Sequence, residues 1–172
     1  MSIARVRSKS NPKPKVGRPA MPKEYGLKGP RSGSGLLPWQ RAAKQLAQAR
    51  NYWVGTVKAD GRPHVMPVWG VWLDEALWFS TSRCSQKARN LDLNPNLVIH
   101  LESGDDVVIL EGVAAEITDV DQLALFAVAY DVKYQFRPDI HDLKNVTYAV
   151  RPRIAFGWLE ADFPGGATRW QF

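Results

Sequence analysis

Gly61-Arg62-Pro63-His64-Val65-Met66-Pro67-Val68-Trp69-Gly70-Val71-Trp72-Leu73, a two-residue Asp74-Glu75 turn, Ala76-Leu77-Trp78-Phe79-Ser80-Thr81, and then Ser82-Arg83-Cys84-Ser85-Gln86-Lys87-Ala88-Arg89-Asn90-Leu91 form the stretch whose reading decides the fold. β-Branched and aromatic residues crowd the first two runs, which predicts strands, and the short acidic turn closes a hairpin between them. The third run changes period. Ser85 suits a helix N-cap, Lys87 falls in the first turn and Arg89 in the next, and Ala88 with Leu91 gives the three-residue apolar spacing that seats a helix. A strand therefore leads directly into a helix N-terminus dressed with hydroxyls and cations. Unpaired N–H groups and the positive end of the helix dipole suit such a terminus to a phosphate. On local spacing alone the commoner reading is an ordinary connection into a solvated basic helix, because Ser caps and surface lysines are frequent.

Around this stretch the elements alternate in hairpins. Pro38 to Arg50 reads as a helix with Trp39, Ala42, Ala43, Leu46 and Ala47 on one face, and it is expected to cover an open side of a barrel. Asn51 to Lys58 is the first strand, turning at Ala59-Asp60-Gly61-Arg62 into the second. The helix from Ser85 to Asn94 is stopped by Pro95, after which Leu97 to Ser103 and Asp106 to Ile117 form a hairpin through Gly104-Asp105. Asp119 and Gln122 make a capping-box pattern for a helix whose stripe of Leu123, Phe126, Ala127, Tyr130 and Tyr134 reads as core. Thr147 to Val150 and Ile154 to Glu160 are two further strands, and Gly165-Gly166 breaks the chain before Thr168 to Phe172. Six or seven mostly antiparallel strands with about three helices predict a mainly β or α+β protein built as a small barrel, not a doubly wound sheet.

The 172-residue length fits one domain plus a tail, and 45% apolar residues with seven tryptophans are ample for a core. No run approaches the roughly 20 apolar residues that span a bilayer. One cysteine, Cys84, rules out an intrachain disulfide, and the first residues lack the apolar segment of a secretory signal, so a cytoplasmic location is expected. Charge is unevenly spread: residues 1–35 hold nine Lys/Arg against the single acid Glu24, or +8, leaving −2 for residues 36–172. The division predicted is a basic, Pro/Gly-rich tail over 1–35, disordered to about residue 17 and partly ordered from Tyr25, followed by the folded domain over 36–172. Val16-Gly17-Arg18-Pro19 resembles the Gly-Arg-Pro centre of minor-groove binding arms. Only one partial core is present and no aromatic residue interleaves with the charges, so a solvated tail is the expectation and nucleic acid is not. Gly33-Ser34-Gly35 follows no strand and is no dinucleotide fingerprint.

His64, His100, His141 and Cys84 show no metal-ligand spacing, so no metal is expected. His64 reads as a hydrogen-bonded structural residue, and His100 as exposed or facing an interface. Neither a Gly-x-Ser-x-Gly elbow nor a Cys-His pairing supports hydrolysis. A redox cofactor demands less, because it carries the electron chemistry while the protein supplies orientation and anion binding.

Pro63 to Trp69, Phe79-Ser80-Thr81, Ser85-Gln86-Lys87-Ala88-Arg89-Asn90-Leu91 with Pro95, Gly35-Leu36-Leu37-Pro38-Trp39 and Ala167-Thr168-Arg169-Trp170-Gln171-Phe172 together resemble the pyridoxamine 5′-phosphate oxidase-like split β-barrel family. Within it the match is to the actinobacterial flavin/deazaflavin oxidoreductase branch, and it extends from about Tyr25 to Phe172. The resemblance implies a homodimer with a cofactor between the subunits. It places an isoalloxazine-type ring against Val65, Met66, Pro67 and Val68, and a phosphate at Ser80, Thr81, Ser85 and Lys87 with Arg83 or Arg89 in support. The second chain would contribute Arg169 and Trp170. Members that oxidise pyridoxamine phosphate with FMN carry Ser-Arg-Lys at the helix start and an arginine in the second strand, where this chain has Ser85-Gln86-Lys87 and Val65-Met66. The C-terminal segment also lacks their His-Asp-Arg run. The lighter phosphate grip suits the singly charged phosphodiester of the deazaflavin coenzyme F420 better than the monoester of FMN, which remains the alternative. The expected activity is hydride transfer to a small organic substrate. A non-catalytic cofactor-binding or nucleic-acid-binding protein is the alternative from another class, since fold alone does not fix function.

Overall fold

The computed structural model describes residues 13–26 and 35–172, and the disorder expected for 1–12, like most of Gly33-Ser34-Gly35, lies outside the described residues. Nine strands, β1 (Lys15–Gly17), β2 (Asn51–Val57), β3 (Pro63–Trp69), β4 (Val71–Leu73), β5 (Ala76–Ser82), β6 (Asn96–His100), β7 (Asp106–Glu116), β8 (Asn145–Leu159) and β9 (Thr168–Gln171), join three helices, α1 (Trp39–Gln48), α2 (Gln86–Leu93) and α3 (Val120–Tyr134). All strands belong to one antiparallel sheet ordered β1-β9-β8-β7-β6-β2-β3, with β5 pairing both β4 and β8. The architecture is that of the expected split barrel.

The strand count exceeds the expected six or seven for identifiable reasons. Gly70 separates the run after Pro63 into β3 and β4, at a point where a side chain would meet the Trp78 carbonyl oxygen at 2.8 Å. Lys15–Gly17, expected to be disordered, instead pairs with Arg169–Gln171 of β9. In the other direction, the two strands expected around Pro152 are one. Pro152 lacks an N–H for a central ladder, but it falls at a bulge where Gly112 faces Pro152 and Glu111 faces Ile154, leaving Arg153 as the extra residue. The long β8 consequently serves β5 with its first half and β9 with its second.

The local signals act as their chemistry dictates. Asp74 and Glu75 both take positive φ and close the β4–β5 hairpin. Ser85 caps α2 by accepting from Ala88 N, and Asp119 caps α3 by accepting from Gln122 N. The main core gathers Trp39, Ala42 and Leu46 of α1, Ala88 and Leu91 of α2, and the inward residues of the barrel. Ala47, expected on the buried face of α1, is exposed. A second core packs Phe126, Tyr130 and Tyr134 of α3 on Val71, Ala76, Trp78 and Ala149. Among the described residues no helix is long and apolar enough to cross a membrane.

Candidate functional site

The turn between β5 and α2 is wound tightly by Ser85 N donating to Ser82 O at 2.9 Å and Cys84 N donating to Ser82 Oγ at 3.2 Å. It presents two hydroxyls and an ammonium to one another. Thr81 Oγ1 donates to Ser85 Oγ at 3.2 Å, and Lys87 Nζ donates to Thr81 Oγ1 at 3.4 Å. Helix geometry leaves the amides of Gln86 and Lys87 without intrahelical acceptors at the same place. Lys87 is half-buried, which pushes its ammonium below the usual lysine range, and no ion pair among the described residues includes it. A half-desolvated cation with one hydroxyl for company suits an anion.

Residues that the sequence reading did not single out hold this terminus against the sheet. Asn90, only 1% exposed, donates from Nδ2 to Thr56 Oγ1 at 2.8 Å and accepts from Gln86 Nε2 at 2.7 Å. The Thr56 hydroxyl is also buried and lies 3.4 Å from both His64 Nδ1 and His64 O, so His64 takes a structural role on β3. The signal available was a lone amide set within the apolar Ala88–Leu91 spacing.

β3 ends the main path of the sheet, so one backbone edge of the strand is unpaired. Its four expected ring contacts do not share a face. Val68 and Met66 stand opposite the buried Tyr52 and Val54 and face the barrel side, whereas Val65 and Pro67 face the other way. What the four share is the backbone edge. Met66 remains 46% exposed despite standing opposite Val54, on a strand that ends the main path of the sheet.

The other expected contacts are dispersed. Ser80 lies on the opposite face of β5 from Thr81 and donates to Val146 O at 3.2 Å, since adjacent residues of a strand alternate. Arg83 is paired with Glu116 at 2.5 Å, an interaction that holds its guanidinium in the charged form. Arg89 is spent on Cys84 O at 2.5 Å and Gln86 Oε1 at 3.0 Å. Arg169 is half-buried on β9, with its guanidinium 3.2 Å from Gln171 Oε1. Trp170, expected to reach across to a second subunit, is instead 1% exposed in its own core. Its ring packs edge-on against Trp39 at 5.5 Å, over Gly157, where a side chain would collide with it at 2.8 Å. Alternation along β9 turns Trp170 inward once Arg169 points out.

A second polar cluster, not anticipated, closes the far end of β3. Lys133 Nζ donates to Tyr52 Oη at 2.9 Å and to Gly70 O at 2.8 Å, and it lies over the Tyr52 and Tyr134 rings. Burial, with help from Arg50, lowers its ammonium to about 8. Trp69 stacks on Tyr134 with ring centroids 4.7 Å apart, and Arg50 lies over both rings. Among the described residues no three His, Cys, Asp or Glu side chains converge as a metal site.

With this geometry in place, comparison with known proteins identifies the scaffold. No protein of curated function matches the chain. A conserved hypothetical protein from Mycobacterium tuberculosis, Rv2991, superposes with a TM-score of 0.65 at 24% identity, covering 76% of this chain and 90% of that one. A structure described as an F420 reductase gives 0.55 at 24% identity, covering 65% and 93%. A haem-binding protein from Mycobacterium smegmatis gives 0.56 at 21% identity, covering 67% and 52%. At such identities these likenesses are of fold. The sequence profile of the pyridoxamine 5′-phosphate oxidase family, however, matches residues 39–152, well over half of the chain, and the protein belongs to that family.

Proposed function

We propose that the protein is a cytoplasmic oxidoreductase, acting as a reductase, which holds the deazaflavin F420 along β3 and the N-terminus of α2 and serves a small conjugated or unsaturated organic substrate. The observation that carries this reading is Lys87: a half-buried ammonium with no carboxylate partner among the described residues, set beside the Thr81 and Ser85 hydroxyls and two free helix amides. When bound, the deazaflavin supplies the hydride. Lys87, Thr81, Ser85 and the amides of Gln86 and Lys87 would hold its phosphodiester, the free backbone edge of Val65 to Val68 would meet the polar edge of the ring, and Met66 would lie beneath it. No residue is assigned an acid or base role, which accords with a cofactor that carries the electron chemistry itself.

Two features favour the deazaflavin over FMN. Among the described residues Lys87 is the one cation that reaches the cradle's hydroxyls, because Arg83 is paired with Glu116 and Arg89 turns back onto Cys84 O. One ammonium balances a phosphodiester with a single charge, whereas a monoester carries close to two. FMN in the same cradle is the second reading, favoured by the hydroxyls and amides, which would accept either phosphate. A second copy of the chain fits the outer face of β2, β3 and β6, where Val57, Val65, Trp69 and Val98 are exposed together. Arg169 is then the residue of β9 offered to the partner's cofactor.

The test is titration of the purified protein with F420 and with FMN, following ring fluorescence. The deazaflavin should bind more tightly. Binding of neither would leave a non-catalytic protein as the reading.

A further inference from the structure

A cavity of about 640 Å³ lies outside the barrel, between α3, the loop that follows it and the β5–β8 pair. The volume is in the range of sites for small organic ligands, roughly 300–1,000 Å³. Leu123, Phe126 and Tyr130 of α3 form an apolar wall. Val120, Phe136 and Leu143 line the mouth and are each more than half exposed, an unusual cost for three apolar side chains around one opening.

Hydroxyls of Ser80, Thr81, Thr118, Tyr130 and Thr147 line this volume. Ser80 and Thr147 are cross-strand partners on the face of the sheet that meets α3. Ser80 spends its proton on Val146 O, leaving its oxygen lone pairs. Thr147 is only 9% exposed, yet its hydroxyl has no hydrogen-bond partner among the described residues, and the same holds for Tyr130, also 9% exposed. Neither oxygen is cut off from solvent, since the buried polar atoms without a partner among the described residues are Arg41 Nε, Asp106 Oδ1 and Trp170 Nε1, so both hydroxyls open onto the cavity and can hydrogen-bond a ligand with matching polar atoms.

The charged groups at the rim are already engaged. Arg83 pairs with Glu116, Asp139 accepts from His141 N at 2.9 Å, and Asp142 accepts from Lys144 N at 3.0 Å and Asn145 Nδ2 at 2.9 Å. His141, the remaining titratable group, is exposed to solvent. An anionic ligand would therefore find no free cation, because Arg83 is paired with Glu116, and the Asp139 and Asp142 carboxylates are held by neutral donors at the solvent-facing rim, away from the Tyr130 and Thr147 hydroxyls. We propose that the α3 cavity is a second small-molecule site, taking an uncharged, planar aromatic compound whose polar substituent meets the hydroxyls of Tyr130 and Thr147. Thr81 of the anion cradle also lines this cavity at the end of β5, so the two sites adjoin there, while Tyr130 and Thr147 lie on the face of the sheet opposite the Thr81 side chain and leave room for both to be filled together.

The test uses the full-length protein and a neutral environment-sensitive probe, N-phenyl-1-naphthylamine. One probe per chain should bind with enhanced, blue-shifted fluorescence. Thr147→Leu, which fills the cavity and removes a hydroxyl, and Phe136→Ser at the exposed mouth should each weaken binding about tenfold or more, with thermal melts confirming that both fold. Saturating F420 or FMN should not displace the probe. Three results would overturn the proposal: no saturable binding, unchanged affinity in folded Thr147→Leu and Phe136→Ser proteins, or loss of the probe on cofactor addition. A drop in affinity confined to Val98→Ser would place the probe instead on the outer β2–β6 face and would equally exclude the α3 site.

Discussion

Lys87 Nζ lies 3.4 Å from Thr81 Oγ1, and the same hydroxyl donates to the Ser85 cap at 3.2 Å. Strand end, helix cap and cation are thereby joined in one cradle. Lys87→Ala should weaken cofactor binding by about tenfold to a hundredfold, because hydrogen bonds to charged groups contribute roughly 1.5–3 kcal/mol. Arg89→Ala should cost much less, since that guanidinium is occupied by Cys84 O and Gln86. Affinities measured beside thermal melts check both. An unchanged affinity in a folded Lys87→Ala protein would remove the cradle from the site.

Asn90 joins α2 to the barrel through Thr56. Asn90→Leu keeps the volume but leaves the Gln86 amide and the Thr56 hydroxyl with lost partners. The expected cost is about 1–3 kcal/mol, each kcal/mol lowering Tm by roughly 2–4 °C in a chain of this size. Adding Thr56→Val should cost less than it does alone, because the pair fails together. Strict additivity in the double-mutant cycle would contradict the coupling.

Lys133 should make stability depend on pH. Its ammonium sits at about 8 in the folded chain against an ordinary 10.5, so between those values the unfolded state binds more protons and stability rises with pH. The contribution is absent below about 8 and complete near 10.5. Lys133→Met removes it. The difference in unfolding free energy between wild type and variant should therefore shift in favour of wild type from roughly pH 8 to 9.5. Above that range Tyr52, whose phenol burial raises, acts oppositely, and because it accepts from Lys133 in the wild type alone the comparison is confined to pH below about 9.5. A flat difference across the window would mean that Lys133 is not desolvated in solution.

The tail contains β1 at Lys15–Gly17. A chain beginning at Lys13 keeps that strand, and its melt beside that of the full chain measures what residues 1–12 contribute. One beginning at Arg18 loses β1, which covers the edge of β9, and should fold with Tm lowered by roughly 2–4 °C, the equivalent of about 1 kcal/mol, and with greater aggregation from the bared edge. An unchanged melt would make β1 dispensable. Loss of salt-sensitive DNA binding on either truncation would restore a nucleic-acid role to the +8 segment.

Local chemistry was legible in the sequence wherever the determinant lies within a few residues. The Asp74-Glu75 turn, the Ser85 and Asp119 caps, the apolar stripe of α3 and the antiparallel hairpins all follow from period, capping and turn propensity, and they suffice for a small antiparallel barrel, its split form having been implied by the family resemblance. Thr81, Ser85 and Lys87 were grouped by the family resemblance, since local spacing by itself favoured an ordinary connection into a basic helix, and their mutual contacts span only a few residues of sequence.

Contacts between distant segments were decided by the tertiary structure alone. Asn90 acquires its role only because Thr56 comes to lie against it. Arg83 leaves the cradle for Glu116, 33 residues away, and Lys15–Gly17, with no periodicity of its own, becomes a strand because β9 offers an edge. β8 runs unbroken through Pro152 because the bulge opposite Gly112 absorbs the missing donor. Trp170 is inward because Gly157 leaves space for its ring. Sequence pattern specifies which faces must be buried, but the partner on each face is set by packing and register across the sheet, which no local window contains.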